Sequence, residues 1–347
     1  MNLSKIALQP TAFVVGAGRM GKLHIANARN AGLKIVGVYD NDPKQLKMAK
    51  EVHDVDSKYI FSDFEKMCDS ATPDLAVIAT TTPSHCEFGI RLSQHGVKLL
   101  FIEKPLGASI AQCEALAEQC KKAGTRVAVN HMFRYLPVIK KIKELLNTES
   151  LGGFTSLSVN GINSGIAMMG SHFIDLFAFF SESPILTVTS WLKKSDEVNP
   201  RGDSYTDLAG LLVAQSANGH RLIQDFPSDQ GQGLEILFCA RYGMLRCNLY
   251  EASIEGFTRI EPDRCLPLTR SDLESLKVQI KLEKTDWSAA SVLHLKNLIQ
   301  NNAIVSLKDG ANVVDTLVAA HKSTELGNIP IQINENDHFR SDTFTWA

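Results

Sequence analysis

The chain has 347 residues, 44% of them hydrophobic and 21% charged, and its formal net charge at pH 7 is −2. This length predicts two domains, because a single hydrophobic core stops growing efficiently below it. Acidic and basic side chains are nearly balanced and interspersed. The composition therefore argues against nucleic acid or an anionic membrane as a partner.

Seven cysteines are scattered along the sequence, and no two of them form a Cys-x-x-Cys pair. This pattern argues against a zinc site and predicts reduced thiols in the cytoplasm. The first residues lack the basic stretch and long apolar run of a secretory signal. The most apolar later run, residues 173–180, is short and contains Asp175, so we expect no membrane span.

The first third of the sequence alternates short apolar strands with helical patterns. Strands are predicted at residues 12–15, 34–39, 75–79, 97–102 and 126–129. Helices are predicted between them at residues 20–30, 43–51, 86–95 and 110–123. Because these strands lack polar alternation and are separated by helices, they predict a parallel sheet that is covered on both faces.

A glycine motif lies between the first strand and the first helix. Residues 16–21 read Gly-Ala-Gly-Arg-Met-Gly and fit the G-x-G-x-x-G pattern. The first glycine allows a tight turn, the second lets a phosphate approach the backbone, and the third lets helix and strand pack closely. A pyrophosphate would lie over the helix N-terminus, where free N–H groups favour anions. The predicted cofactor-binding residues here are Gly16, Gly18, Arg19, Met20 and Gly21.

An acidic residue, Asp40, stands 19 residues after Gly21, at the end of the second strand. A carboxylate at this place accepts hydrogen bonds from ribose hydroxyls and repels a 2′-phosphate. The next residue is Asn41 rather than arginine, so NAD is favoured over NADP. Proteins that bind FAD use the same glycine pattern, and a glycine turn with an unrelated surface aspartate is the plain alternative.

The pattern changes beyond about residue 150. One helix is predicted after Ser171, followed by partly alternating strands at residues 187–192, 207–215, 220–224, 234–239 and 244–250. Such segments predict a largely antiparallel sheet. Helices at 289–301 and 310–325 follow, and the polar segment after about residue 334 has no predicted structure.

Together these features predict two domains. Residues 1–130 form an α/β Rossmann domain that binds NAD, and residues 131–335 form an α+β domain for substrate binding and oligomerisation, with a largely antiparallel open sheet. The helix at about 310–325 is expected to pack back on the Rossmann domain.

Polar residues follow three of the predicted parallel strands, where ligands of open parallel sheets lie. The residues expected at the cofactor are Thr80, Thr82, Pro83, His85, Glu103, Lys104 and Asn130. Arg134 is expected to contact the substrate. A helix cap at Ser84, a loop-closing role for Asn130 and a solvated Arg134 are the alternatives.

The sequence resembles the Gfo/Idh/MocA family of oxidoreductases. The likeness lies in GAGRMGKLH, TPSH, EKP and GSHFID, and in the Asp-Gly before the last helix, over residues 10–332. It implies that Lys104 of EKP lies beside the nicotinamide as acid/base or substrate ligand, that Glu103 contacts the nicotinamide ribose, and that the Lys104–Pro105 peptide is cis. It also implies that His172 is the active-site histidine.

One position departs from the family pattern. Many sugar and polyol dehydrogenases of the family have an aspartate four residues before the histidine, and here that residue is Met168. Asp175 lies one turn after His172 and is expected either to bind substrate or to interact with the helix start. The missing carboxylate puts an Asp–His relay in doubt and is compatible with catalysis by Lys104 alone, with reduction of an activated sugar, or with weakened activity.

The function expected from the sequence is NAD-dependent hydride transfer to or from a sugar, nucleotide sugar or polyol. The catalytic residues would be Lys104 and His172, and the substrate-binding residues Lys104, Arg134, His172 and Asp175. The alternatives are an NADP-linked carbonyl or imine reductase and a non-catalytic NAD-binding regulatory protein. No metal is expected. The family resemblance implies a homodimer or homotetramer, formed through the sheet of the second domain.

Overall fold

A computed structural model describes residues 9–161, 164–195, 199–227, 229, 233–266, 275–284 and 286–346. The chain divides into two units. Unit 1 contains the residues up to Gly107, together with Ala111–Asn130 and Ser288–Lys308. Unit 2 contains Ala108–Ile110, His131–Trp287 and the residues from Asp309 onwards.

A six-stranded parallel sheet organises unit 1. Its strands are β1 Thr11–Val15, β2 Lys34–Tyr39, β3 Ile60–Phe61, β4 Leu75–Ile78, β5 Leu99–Ile102 and β6 Arg126–Val129. The order is β3-β2-β1-β4-β5-β6, with every neighbouring pair parallel. The order reverses between β1 and β4, so the carboxyl ends of these two strands border the crevice in which such sheets bind ligands.

The α-helices that connect these six strands in the described structure are α1 Arg19–Asn30, α2 Pro43–Glu51, α3 Phe64–Ser70, α4 Thr82–Gln94 and α5 Ile110–Ala123. Aspartates cap two of them, because the Asp42 side chain accepts from Lys44 N at α2 and the Asp63 side chain accepts from Glu65 N at α3. The strands are buried along their whole length at β1, β4 and β5, apart from a half-buried first residue of β1. Burial without alternation is what a sheet covered on both faces requires.

A nine-stranded sheet organises unit 2. Its strands are β7 Phe154–Gly161, β8 Ile185–Lys194, β9 Leu208–Ser216, β10 Arg221–Phe226, β11 Leu234–Ala240, β12 Gly243–Asn248, β13 Ser253–Arg259, β14 Ser275–Lys281 and β15 Ile331–Gln332. The order is β14-β13-β12-β11-β7-β10-β9-β8-β15, and every neighbouring pair is antiparallel except β7 with β10. The predicted α/β domain followed by an α+β domain with a largely antiparallel sheet is confirmed.

The remaining helices are α6 Pro137–Leu146, α7 Ser171–Ser181, α8 Trp287–Ile299 and α9 Leu307–Glu325. A π-helical turn, Ile166–Gly170, leads directly into α7. Helix α7 is almost entirely buried, in keeping with its apolar sequence. No helix among the described residues is long and apolar enough to cross a membrane.

The last two helices, α8 and α9, are grouped with different units, and the packing of the helix at 310–325 on the Rossmann domain stays a prediction. The structure groups Ser288–Lys308 with unit 1 and the residues from Asp309 onwards with unit 2. Helix α9 is held in unit 2 by side-chain hydroxyls that accept from β8, since Ser190 N donates to Ser323 Oγ at 2.9 Å and Leu192 N to Thr324 Oγ1 at 3.0 Å. In unit 1, Arg126 Nη1 donates to the carbonyl of Leu298 in α8 at 3.3 Å.

The C-terminal segment, which had no predicted structure, is packed within unit 2. Trp346 is fully buried, and its Nε1 donates to His321 Nε2 at 3.0 Å. Phe344 N donates to the Ala108 carbonyl, and Thr206 N to the Thr345 carbonyl, each at 2.9 Å. Burial, with a smaller contribution from the neighbouring Lys322, lowers the pKa of His321 to about 4. The imidazole is therefore neutral near pH 7 and available to accept this hydrogen bond.

Candidate active site

The glycine turn of unit 1 is shaped by two close approaches. Gly16 has φ +92°, its N–H donates to the Tyr39 carbonyl at 2.8 Å, and a Cβ there would lie 2.7 Å from the Ala79 carbonyl. A Cβ at Gly21 would lie 1.8 Å from the Gly16 oxygen. Both positions therefore require glycine for the fold of the turn itself.

Gly18 differs from the other two glycines of the motif. A Cβ there would meet no heavy atom within 4 Å in the described structure, so protein packing does not explain a glycine at this position. Gly18 is the N-cap of α1, and no acidic residue stands in the first turn of that helix. The open space and the positive end of the helix dipole together fit the phosphate group of a dinucleotide.

The remaining two residues of the predicted loop lie in the first turn of α1. Arg19 is exposed, whereas Met20 is half-buried and packs against the core of unit 1. Their backbone N–H groups are among the first four of the helix, which have no partner within it. We therefore expect each of these two residues to contribute its backbone N–H group to cofactor binding.

Asp40 lies at the end of β2 and reaches across to the glycine turn. Its Oδ2 accepts from Ala17 N at 2.6 Å, and its Oδ1 accepts from Asp42 N at 2.8 Å. Two carboxylate oxygens have about four acceptor sites, so further acceptor capacity remains for a ribose. The residue therefore holds the loop in place and keeps a negative charge beside it.

The residues after β4 form the first turn of α4, which begins at Thr82 rather than at residue 86 as predicted. Thr80 is half-buried at the strand end, Thr82 is buried and Pro83 is half-buried. Ser84 is not the helix cap: Thr81 is the N-cap residue, and Ser84 Oγ donates to the Thr81 carbonyl at 2.9 Å. The helix starts earlier because proline is well tolerated in its first turn.

His85 was expected to line the cofactor, and the structure gives it other partners. It is 1% exposed, its Nδ1 lies 2.8 Å from the Pro105 carbonyl, and its Nε2 lies 3.2 Å from the Thr80 carbonyl. Both ring nitrogens thus face backbone oxygens of the strand ends. Burial is the largest of the effects that lower the pKa of His85, which favours a neutral ring.

Glu103 lies at the end of β5 within a buried cluster. Its Oε1 is 2.6 Å from His24 Nε2 and accepts from Asn130 Nδ2 at 2.7 Å. Burial alone would raise the pKa of Glu103, but His24, Asn130 and Lys104 together lower it to about 2. Ser291 Oγ donates to Asn130 Oδ1 at 3.3 Å. Asn130, expected at the cofactor, therefore orients Glu103 in this structure.

Lys104 follows directly and is half-buried. Its peptide bond to Pro105 is cis, as the family resemblance implied. Its backbone N–H donates to Glu103 Oε2 at 3.4 Å. The lysine thus extends from the carboxyl end of β5, the strand next to β4. An ammonium group in this place is suited to proton transfer at a ligand bound over the strand ends.

His172 lies in the first turn of α7 in unit 2 and is 4% exposed. Its ring stacks on Phe133 at 4.3 Å between centroids, with an interplanar angle of 18°, and meets His131 edge-on at 5.6 Å. These contacts fix the plane of the imidazole.

A carboxylate is present beside the turn where the family pattern led us to expect one. Asp207 Oδ1 accepts from Ala167 N at 2.9 Å, and Asp207 Oδ2 accepts from Met168 N at 2.7 Å. A Cβ at Gly165 would lie 1.9 Å from the Asp207 carboxyl carbon, which explains a glycine there. The sequence gave no local signal for this contact, because the partners stand about 40 residues apart.

Arg134 and Asp175 were expected to contact substrate, and in the structure they are paired with each other. Arg134 Nε donates to Asp175 Oδ2 at 2.8 Å, and Arg134 Nη2 donates to Asp175 Oδ1 at 2.7 Å. Arg134 Nη2 also donates to Asp309 Oδ1 at 3.2 Å. Arg134 is 5% exposed and Asp175 is fully buried. This bidentate buried ion pair uses part of the hydrogen-bonding capacity of both side chains, and contact of either residue with a substrate stays a prediction.

The other residue that sequence reasoning missed is His24. It stands in the motif GAGRMGKLH, three residues after Gly21, and is fully buried. The sequence signal that could have pointed to His24 is its place in this motif, on the helix that follows the glycine turn. No group of three or more metal-ligating side chains occurs in the part of the chain that the structure describes.

Comparison with known proteins adds a family match and two curated relatives. Residues 11–131 match the Gfo/Idh/MocA model, described as an oxidoreductase family with an NAD-binding Rossmann fold. D-apiose dehydrogenase of Paraburkholderia graminis is 28% identical over 140 residues, covering 40% of this chain and 36% of the relative. The scyllo-inositol 2-dehydrogenase (NAD(+)) of Bacillus subtilis is 27% identical over 141 residues, covering 40% of each chain. The matched region thus spans about 40% of the length of these relatives.

A solved structure extends the likeness of the fold to nearly the whole chain. An oxidoreductase from Agrobacterium radiobacter, in complex with NAD+, L-tartaric acid and magnesium, superposes with a TM-score of 0.76. The match covers 94% of this chain and 99% of that one at 17% identity. At this identity the likeness concerns the fold alone.

Proposed function

We propose that the chain, whose residues 11–131 match the Gfo/Idh/MocA oxidoreductase family, is an NAD-dependent dehydrogenase acting on a CH–OH group of a sugar or polyol. The observation that supports the proposal most directly is the position of Lys104, which is half-buried at the carboxyl end of β5. The strand order of this sheet reverses between β1 and β4, where such sheets bind ligands. A proton-transfer group is thereby combined with a dinucleotide-binding turn in one unit.

The residues of the glycine turn fit NAD. Gly18 leaves space at the N-terminus of α1, where the backbone N–H groups of Arg19 to Gly21 would bind the pyrophosphate. Asp40 would accept from the ribose hydroxyls, and its charge would repel the 2′-phosphate of NADP. When bound, NAD+ supplies the hydride acceptor.

Lys104 would carry the proton. During alcohol oxidation its neutral amine accepts the substrate hydroxyl proton, and in the reverse direction its ammonium group donates a proton to the carbonyl oxygen. We propose His172 as a second group that orients the substrate oxygen or relays its proton. The turn that precedes His172 is held by Asp207 through backbone hydrogen bonds, which supports a fixed position for this histidine.

The substrate class is proposed from the curated relatives. Their names specify D-apiose, a sugar, and scyllo-inositol, a polyol. Nucleotide-linked sugars remain part of the proposal made from the sequence. These substrates all contain CH–OH groups, whose carbon can release a hydride while the hydroxyl proton passes to a base such as lysine.

The proposed function is tested with purified protein. Native mass spectrometry identifies any ligand that copurifies, and NADH and NADPH are then titrated by fluorescence. Reduction of NAD+ is followed across a panel of sugars, polyols and nucleotide-linked sugars. We expect NADH to bind more tightly than NADPH and at least one polyol or sugar to be oxidised. NADH binding without hydride exchange on the whole panel would favour the non-catalytic alternative.

We also propose that copies of the chain associate through the open face of the nine-stranded sheet, in a dimer or tetramer. Trp191 and Ile223 are 49% and 41% exposed on that face, and the half-buried Leu211 and Val213 lie directly across the strands from them. A contiguous apolar surface of this kind marks an association site. The cytoplasmic location is proposed as well, supported by the free thiols of the six described cysteines.

A further inference from the structure

Buried histidines contact the residues on both sides of Lys104. His24 Nε2 lies 2.6 Å from Glu103 Oε1, on the N-terminal side of the lysine. His85 Nδ1 lies 2.8 Å from the Pro105 carbonyl, on its C-terminal side. The two histidines are 0% and 1% exposed and belong to helices α1 and α4.

The contact on the N-terminal side is an ion pair or a strong hydrogen bond. Glu103 is 5% exposed, and its side chain also accepts from Asn130 Nδ2 at 2.7 Å. Glu103 Oε2 in turn accepts from the Lys104 backbone N–H at 3.4 Å. Removal of the His24 donor would leave a buried carboxylate with fewer partners, so the orientation of Glu103 would be less firmly held.

On the C-terminal side of Lys104, His85 holds the backbone carbonyl of Pro105. The carbonyl of Pro105 accepts from one nitrogen of His85, and the Thr80 carbonyl at the end of β4 lies 3.2 Å from the other nitrogen. A neutral imidazole has a single N–H, and the shorter contact assigns it to Nδ1. Through this hydrogen bond the ring holds the loop after Lys104 to helix α4, to which His85 belongs.

We propose that His24 and His85 are positioning residues, which hold the backbone of Lys104 from both sides so that its long side chain reaches the substrate oxygen. The inference rests on the proposed role of Lys104 as the proton-transfer group. A lysine side chain is flexible, so its effective position depends on a fixed backbone. A displacement of about 1 Å in a reacting group reduces the rate by roughly 100-fold.

Paired substitutions separate positioning from simple packing. His85→Leu removes the donor, whereas His85→Asn retains one at the position of Nδ1. His24→Leu removes the donor, whereas His24→Gln retains one at the position of Nε2. The matched control is Ser93→Ala on α4, which removes another buried hydrogen bond of unit 1, from Ser93 Oγ to Thr125 Oγ1 at 2.9 Å.

Turnover and NADH affinity are measured for each variant per folded molecule, with folding assessed by circular dichroism. We expect both leucine variants to lose about 10- to 100-fold in kcat, with a smaller change in NADH affinity, and the asparagine and glutamine variants to recover most of the loss. Ser93→Ala should retain the wild-type kcat. Equal losses in the leucine and conservative variants, or an unchanged kcat in all of them, would overturn the proposal. Methionine replaces leucine wherever a leucine variant does not fold.

A second readout is independent of catalysis. Lysines are labelled by ¹³C reductive methylation, and the Lys104 signal is assigned by its absence in Lys104→Arg. We expect this signal to shift or broaden in His85→Leu and His24→Leu and to stay in place in Ser93→Ala. An unchanged Lys104 signal refutes the positioning role even if the enzyme is active. A displaced signal in a protein that transfers no hydride supports the positioning and refutes the proposed function instead.

Discussion

At the scale of single residues, Asp40 holds the glycine turn in place and is also the residue proposed to bind the ribose of NAD. Its carboxylate accepts from the backbone N–H of Ala17 in the glycine turn and of Asp42 at the start of α2. The same group is the one proposed to select NAD. The position of the acid at the strand end was predictable, because a parallel strand places its last side chain at the ligand crevice.

Asp40→Ala should weaken NADH binding by about 10- to 100-fold, since hydrogen bonds to a charged group contribute about 1.5–3 kcal/mol each. Discrimination against NADPH should fall at the same time, because the repelling charge is removed. Fluorescence titration of both nucleotides measures the two effects. Asp42→Ala, which removes the α2 cap, is the matched control and should lower stability by about 0.5–2 kcal/mol with little effect on nucleotide choice. NADH affinity that survives in Asp40→Ala would exclude the ribose contact.

The pKa of His321 predicts a pH-dependent stability. The folded-state pKa of about 4 lies below the ordinary value of 6.5, so the unfolded chain binds a proton that the folded chain does not. Stability is therefore fully present above pH 6.5 and is lost as pH falls towards 4, by about 3 kcal/mol at most. In His321→Gln, a side-chain oxygen replaces the acceptor for Trp346 without titrating. Urea unfolding across this pH window should show a shallower dependence in the variant, and parallel curves would rule out His321 as the source.

Some residue roles were not readable from the sequence, for a physical reason. Arg134 and Asp175 stand 41 positions apart, and only the folded chain shows that they neutralise each other in the interior of unit 2. His85 and Asn130 follow strands of the parallel sheet as predicted, yet their polar atoms bond to the backbone or side chains of neighbouring strand ends. Position on the sheet follows from pattern, whereas the partner of a buried polar atom depends on tertiary packing.

At the scale of elements, the parallel strands were predictable because their apolar runs are buried on both faces. Strand β7 was missed because its sequence, FTSLSVNG, places small polar residues among the apolar ones and reads as a loop. It lies between β11 and β10 in the sheet, with five of its eight residues buried. Helix α9 begins three residues before its predicted start and ends where predicted, whereas its hydroxyl contacts to β8, such as Ser190 with Ser323, leave no periodic signal in the sequence.

The C-terminal segment is predicted to be part of the folded structure of unit 2 rather than a dispensable tail. Trp346 is fully buried and stacks on Phe344 with ring centroids 4.9 Å apart. Trp346→Ala should lower the free energy of unfolding by about 3–5 kcal/mol, as for other buried aromatic side chains. Leu326→Ala, at a side chain that is 50% exposed, is the control and should change it by no more than about 0.5 kcal/mol. Chemical denaturation measures both, and equal small effects would place Trp346 outside the core.

At the scale of the whole molecule, the prediction concerns association of copies. The paired variant Trp191→Lys with Ile223→Lys places two charges on the open face of the nine-stranded sheet. If this face forms the interface, light scattering should give a dimer or tetramer for the wild type and a monomer for the variant, because unpaired charges in a buried interface are strongly unfavourable. Val52→Lys, at a residue that is 60% exposed on unit 1, should leave the mass unchanged. A monomeric wild type would refute the proposed interface.

The central claim is that Lys104 moves the proton during hydride transfer between NAD and a sugar or polyol. The most direct test compares the wild type with Lys104→Ala on the substrate that the panel identifies, with turnover normalised to the number of NADH-binding sites. The account predicts a fall in turnover of about 100- to 10,000-fold, with NADH affinity changed by less than about threefold. Turnover that remains at the wild-type rate in Lys104→Ala would contradict it.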